Sequence, residues 1–160
     1  MTGGTRTSQR GRRSKDAKVE LLRNVPLFSE CSKRDLRRIA GLVDEVDLSD
    51  RSVLIRQGEP GRECFVIAEG KAKATVRGSG SAWLEPGDVV GEMALLDQAP
   101  RAATVTASTD MHLLVLTSRN FSALIEEFPP VARRIMAALA GRVREADARQ
   151  PLAPHLRASR

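Results

Sequence analysis

Between Asp44 and Thr117 apolar residues recur at every second position, and clusters of turn-forming residues interrupt them. Val46 and Leu48 alternate with acidic neighbours, Val53 and Ile55 flank Leu54, and Phe65-Val66-Ile67-Ala68 forms a short apolar run. Glu69-Gly70-Lys71 turns that run into Ala72 to Arg77, and Trp83 and Leu84 precede Pro86-Gly87-Asp88. Ala103 to Ala107 and His112 to Leu116 close the series across Ser108-Thr109-Asp110. A period of two places successive side chains on opposite faces of a strand, and many short strands at intervals of about ten residues specify an antiparallel sandwich, roll or barrel. The turns repeat no sequence unit, so the chain is not a solenoid. Gln57 to Gly61 reads as a turn. Gly78-Ser79-Gly80 reads as a hairpin connection, since a phosphate-cradling loop needs a following Lys-Ser/Thr and a helix.

Helical spacing flanks this block. Val19, Leu22 and Leu21 predict a turn or two of helix, which Asn24-Val25-Pro26-Leu27-Phe28 breaks because the residue before proline avoids helix. Ser32 is the expected N-cap of a helix running to about Leu42, with Leu36, Ile39, Ala40 and Val43 inward. Ser118 is the expected N-cap of a segment carrying Phe121, Leu124, Ile125 and Phe128, ended by Pro129-Pro130. Pro130 can open another helix, along which Val131, Ile135, Leu139 and Val143 recur every four residues with Ala132, Met136 and Ala140 alongside. Arg133, Arg134, Arg142 and Arg144 fall on its other faces. The fold class is therefore mainly β with flanking α. The expected division is a disordered basic leader over 1–18, one domain over 19–148, and an aperiodic tail over 149–160.

Charge sharpens that division. Five of the six net positive charges fall within residues 1–18, so the body is almost neutral. No aromatic residue interleaves those charges; a solvated leader is expected, with nucleic-acid contact through it as the alternative. No apolar run reaches the ~20 residues of a membrane span, and no apolar stretch makes the N-terminus a secretory signal, so a cytoplasmic protein is expected. Cys31 and Cys64 lack metal-type spacing and read as unpaired thiols. The two histidines, His112 and His155, are too few for a histidine metal centre of the cupin kind, and no Gly-x-Ser-x-Gly elbow is present. The expectation is no enzyme and no metal.

One stretch carries chemistry. Val90 to Val105 reads Val-Gly-Glu-Met-Ala-Leu-Leu-Asp-Gln-Ala-Pro-Arg-Ala-Ala-Thr-Val, with Glu92 and Arg101 nine positions apart. A guanidinium holds a phosphate through two parallel charge-assisted hydrogen bonds. Pro100 fixes the backbone before Arg101, and Ala102-Ala103 lets a ligand approach closely. Glu92 has acceptors for a hydroxyl but repels a highly charged ligand. The pair suits a ligand with one negative charge and a free hydroxyl; a nucleoside triphosphate lacks its lysine loop and magnesium carboxylate here.

Gly91-Glu92-Met93-Ala94-Leu95 followed by Pro100-Arg101-Ala102-Ala103-Thr104-Val105 resembles the phosphate-binding cassette of the cyclic nucleotide-binding domains, the sensor domains of catabolite-activator-type transcription factors, kinase regulatory subunits and gated channels. Val25-Pro26-Leu27-Phe28 with Ser32 is similar to that family's N-terminal helical motif, and Ile55 to Gly61 with Phe65 to Gly70 to its first strands. The resemblance spans about residues 19 to 146. It implies an eight-stranded antiparallel β-roll with helices before and after it, the last a mobile lid or dimer helix. It also implies a ligand-binding set of Gly91, Glu92, Met93, Ala94, Arg101, Ala102, Ala103 and Val105, with Arg101 on the cyclic phosphate and Glu92 on the ribose 2′-hydroxyl. Backbone N–H groups near Ala94 and Ala102 complete the anion site. A serine or threonine after the arginine favours cyclic GMP in that family; Ala102 stands there, which points to cyclic AMP. No cofactor beyond that ligand is implied. The implied role is a stand-alone sensor without a helix-turn-helix module, acting through its last helix on a separate effector protein or a second subunit. A non-binding interaction module is the alternative. No base-capping residue is assigned; Ala146 and Asp147 lie near where one is sought.

Overall fold

The computed structural model describes the backbone of residues 7–8 and 15–149 and the side chains of 15–142 and 144. In chain order it runs β1 (Thr7–Ser8), α1 (Lys15–Arg23), a 3-10 turn (Pro26–Phe28), α2 (Lys33–Ala40), β2 (Asp44–Leu48), β3 (Val53–Ile55) and β4 (Glu63–Glu69). There follow β5 (Ala72–Val76), β6 (Gly80–Leu84), β7 (Val89–Val90), α3 (Glu92–Asp97), β8 (Thr104–Ala107), β9 (Met111–Thr117), α4 (Ser118–Glu127) and α5 (Pro129–Arg149). The strands form two antiparallel sheets, ordered β1-β2-β9-β4-β7 and β3-β8-β5-β6. The eight strands of the expected roll are β2 to β9.

β9 explains why one strand reads as an unbroken apolar run. Leu113 and Val115 face the interior of the roll, where they meet Leu48, Ile55, Ile67 and Val105. Leu114 and Leu116 face the opposite way, into a second core with Phe28, Leu36, Ile39, Phe121, Leu124 and Phe128 from the helices. A strand covered on both faces has no reason to alternate with polar residues. β2, at the margin, does alternate, and its acids meet the one polar residue of β9. By strand parity His112 lies on the helix-facing side; it is 1% exposed, with Nδ1 2.9 Å from Asp47 and Nε2 2.7 Å from Glu45.

The helical boundaries follow local chemistry. Ser32 caps α2, accepting from the Asp35 N–H at 3.1 Å. Val25 is extended at φ −82°, ψ 123°, as its following proline requires. The cap of α4 is Thr117 rather than Ser118: its hydroxyl accepts from the Asn120 N–H at 3.2 Å. Two adjacent hydroxyls can each serve, and the one ending in extended geometry does so. Phe128 leaves helical geometry at φ −127°, ψ 79°, and Pro129 opens α5, where an absent N–H costs nothing.

The N-terminal leader departs from expectation. α1 begins at Lys15, and Thr7–Ser8 pairs antiparallel with Leu48 and Asp47 at the free edge of β2. An exposed strand edge offers unpaired backbone donors and acceptors, which an otherwise core-less segment can take up. The rest of that leader, and the tail beyond Arg149, lie outside the described residues. Cys31 is half-buried and Cys64 buried, both as free thiols. Among the described residues no helix is long and apolar enough to cross a membrane, and no cluster of His, Cys, Asp and Glu is arranged to hold a metal.

α5 is anchored unevenly. Val131 and Ile135 are 0% and 2% exposed in the helix-side core, and Arg134 reaches Glu30 at 3.3 Å. Beyond them Met136 is 59% exposed, and the next tertiary polar contact is made by Arg142. Leu114, wholly buried where sheet and helices meet, tests this two-layer packing. Leu114→Ala is expected to cost about 2–5 kcal/mol in urea unfolding; a loss under ~1 kcal/mol contradicts the described packing.

Candidate functional site

The site is built where β7 runs into α3. Gly91 caps α3 with φ +85°, a left-handed conformation that side chains disfavour. A Cβ there would lie 2.3 Å from Arg101 Nη1, so conformation and space both demand glycine. On the other side Gly61 has the same role: a Cβ would sit 2.6 Å from Arg101 Nε and 2.8 Å from Ala94 Cβ. The guanidinium of Arg101 is thus laid between two glycines, and Arg101 as a whole is only 9% exposed.

Both terminal nitrogens of Arg101 are occupied by backbone. Nη1 donates to Gly91 O at 2.9 Å and Nη2 donates to Glu63 O at 2.7 Å. Its backbone is fixed as firmly, with the Arg101 N–H donating to Glu59 O at 2.8 Å and the Gly58 N–H donating to Arg101 O at 2.9 Å. Burial pulls its pKa down, while the neighbouring Cys64 and the carboxylates of Glu63 and Glu92 act the other way. The guanidinium stays charged at neutral pH.

Glu92, the first residue of α3, is 2% exposed. Its Oε1 accepts from Arg142 Nη1 on α5, whose Nη2 donates to Val89 O. Its Oε2 is buried without a hydrogen-bond partner. Burial raises the Glu92 pKa above its ordinary 4.5; Arg142, the residue's own backbone N–H and Arg101 oppose that shift. Cys64 lies nearby, and burial pushes its thiol up to about 12, so it is a neutral packing group and no nucleophile.

The structure therefore brings Gly91, Glu92, Ala94 and Arg101 together. Ala94 is 6% exposed and packs beside Gly61, while Val105 is buried in the roll at the partner position of Ile55. Met93 is 47% exposed, its side chain directed away from the site by the helical turn that buries Glu92 and Ala94. Ala102 is exposed and Ala103 half-buried at the entrance to β8. Three participants escaped the sequence reading: Gly61, the Glu63 carbonyl and Arg142. Gly61 falls in a stretch that reads only as a turn, and a carbonyl leaves no sequence signal at all. Arg142 lies three residues beyond Leu139, the last described member of the α5 apolar stripe, and that spacing was the available clue. The side chains of Ala146 and Asp147 lie outside the described residues.

A cavity of about 340 Å³ lies beside these groups, between the Gly58–Gly61 turn and α3. Its lining includes Pro60, Ala94, Leu95 and Gln98 but neither Glu92 nor Arg101, and no charged side chain.

One connection of the roll thus presents a buried carboxylate and a buried guanidinium, the latter laid between two glycines. The family model described as "Cyclic nucleotide-binding domain" matches residues 45–128, and the chain belongs to that family. It is 38% identical over 109 residues to the Pycsar effector protein XpPycTIR of Xanthomonas perforans, covering 68% of this chain and 36% of that protein. To the cyclic AMP receptor protein of Thermus thermophilus it is 40% identical over 96 residues, covering 57% of this chain and 44% of that one. The crystal structure of the Thermus thermophilus catabolite activator protein superposes with a TM-score of 0.67 at 32% identity, over 77% of this chain and 60% of that chain. The chain thus spans less than half the length of these two curated relatives.

Gly91→Ala tests the arrangement around Arg101. The left-handed φ alone is expected to cost about 1–2 kcal/mol, with a further loss from the clash with Nη1. In an Arg101→Ala background the cost should be smaller, because the clash with Nη1 is gone and only the conformational part and the 3.0 Å approach to Ile55 Cδ1 remain. Equal costs in both backgrounds, by urea unfolding, contradict the contact between Gly91 and Arg101.

Proposed function

We propose that this domain binds cyclic AMP, with Arg101 holding the cyclic phosphate and Glu92 the ribose 2′-hydroxyl. One observation carries the reading: Glu92 is a fully buried carboxylate with an oxygen that no protein group satisfies. A buried acceptor without a partner costs about 1–3 kcal/mol, a cost that a ligand hydroxyl relieves. Arg101, next to it in the fold, supplies the single positive charge that a cyclic phosphodiester needs. Its present hydrogen bonds to Gly91 O and Glu63 O are ones that a phosphate replaces by charge-assisted bonds, which are roughly twice as strong as neutral ones.

Cyclic AMP is favoured over cyclic GMP by Ala102, which places no hydroxyl after Arg101 to meet a guanine amine. The similarity to a protein named for cyclic AMP supports the same choice. The role is regulatory: occupancy biases α5, which pivots after Phe128, and α5 meets a separate effector protein or a second subunit. A ligand shifts that equilibrium only by its differential affinity for the two helix positions. The contact from Arg142 to Glu92 supplies a physical route for such a difference.

Arg101→Ala is expected to weaken cyclic AMP binding by several kcal/mol, on the order of two charge-assisted hydrogen bonds at ~1.5–3 kcal/mol each. The loss is reduced by the two carbonyl contacts the wild type gives up. Calorimetric titration of wild type and variant measures it. Equal affinity, or no binding by the wild type, overturns the proposal and leaves a roll with an interaction role.

A further inference from the structure

A strand at the edge of a sheet leaves backbone N–H and C=O groups without a strand partner, and proteins protect such edges by shortness, charge, proline or bulges. Three of the four sheet edges here are protected in that way. β1 and β7 are two residues long, and β3 is three residues long with a register shift between Val53 and Ile55. The fourth edge, β6, is not. Its five residues, Gly80-Ser81-Ala82-Trp83-Leu84, all pair with β5 in unbroken register and include neither a charge nor a proline. On its outer face Trp83 is 61% exposed, directly opposite Lys73, whose Nζ lies 5.7 Å from the ring centroid.

Charge at the two ends of β6 indicates which strand it accepts. At the Gly80 end the hairpin carries Arg77, and at the Leu84 end the chain turns through Glu85. Both side chains are exposed, and neither makes an ion pair among the described residues. Their backbones are fixed: the Arg77 N–H donates to Gln57 Oε1 at 3.0 Å, and the Glu85 N–H to Asp88 Oδ2 at 2.8 Å. Lys71 also stands at the Leu84 end, but on the β5 side, one strand in from the edge. The edge itself is positive at one end, negative at the other and neutral between. An antiparallel copy of the same strand brings opposite charges together at both ends.

We propose that β6 is a homodimer interface, pairing antiparallel with β6 of a second copy across a two-fold axis at Ala82. Two four-stranded sheets then join into one of eight strands. That register uses all five residues: Ala82 meets its own copy, Trp83 meets Ser81 and Leu84 meets Gly80. Trp83 and Ser81 share the outer face, so each indole lies over a small residue of the other copy, with exposed Thr75 behind it. The two Lys73 side chains fall in different rows with two strands between them, and so do not clash. Each hairpin end meets the Glu85 end of the other copy, giving two Arg77–Glu85 pairs by symmetry. The interface involves neither α5 nor the groups around Glu92 and Arg101, so it forms with or without nucleotide.

The experiment uses the intact, ligand-free chain, followed by sedimentation velocity over a range of concentrations and by tryptophan emission. Trp83 is the chain's single tryptophan, so emission reports this edge alone. The wild type is expected to dimerise reversibly, its emission moving to shorter wavelength as the indole leaves water. Ser81→Lys puts a charge on the edge and should leave a monomer at every concentration. Arg77→Glu and Glu85→Arg should each weaken the dimer by ~10-fold, the order expected when two exposed ion pairs both become repulsions. The double variant, Arg77→Glu with Glu85→Arg, should restore most of that loss. Urea unfolding of dilute protein should be the same for all variants, which separates lost pairing from lost fold. A wild type that stays monomeric overturns the inference. So does a dimer that survives Ser81→Lys with unchanged emission, or a pair of single losses that the double variant does not recover.

Discussion

A carboxylate buried to 2% exposure is the constraint around which this structure is arranged. Removing an ionised group from water costs several kcal/mol unless opposite charge and hydrogen bonds compensate it. At Glu92 the compensation comes from three separated parts of the chain: its own backbone N–H at the start of α3, Arg101 before β8, and Arg142 far along α5. The roll brings the first two together through the partnership of β3 with β8 and of β4 with β7. The helices bring the third, because Val131 and Ile135 seat the first half of α5 on the same core that α2 and α4 share. None of these groups fully satisfies the carboxylate, and one oxygen stays without a hydrogen-bond partner.

Arg101 shows the complementary state. Its guanidinium is not paired directly with Glu92 in a closed ion pair; it lies on two carbonyls, between glycines that admit nothing larger than hydrogen. Such contacts keep a buried cation solvated by the protein without consuming its charge. A guanidinium satisfied by neutral acceptors is exchangeable for an anion, whereas one locked onto a buried carboxylate is not. The same local arrangement holds the guanidinium in the roll and, under the proposed function, lets it take an anion.

Much of this was legible from residues alone. The change of apolar period at Asp44 gave away the β-roll, and the paired runs through Glu92 and Arg101 marked the residues that the fold brings together, because those patterns report local geometry directly. What was illegible depends on tertiary placement. Glu45 and Asp47 read as the exposed side of an alternating strand, until β9 sets His112 opposite Asp47. Met93 sits inside the matching motif, yet its side chain faces outward because the short helix turns it there. Arg142 is one of several arginines around α5, and its spacing from Leu139 acquires meaning only once α5 is seen to pass over β7. The choice of Thr117 over Ser118 as a cap turns on a single residue of register, where helix boundaries are least fixed.

The central claim, that Glu92 and Arg101 form a cyclic nucleotide site, is most directly tested by a crystal structure of the protein with cyclic AMP. The account predicts the cyclic phosphate on the Arg101 guanidinium, which has left Gly91 O and Glu63 O, and the 2′-hydroxyl on Glu92 Oε2. Nucleotide bound away from these groups, or Arg101 still on both carbonyls beside bound nucleotide, would contradict it.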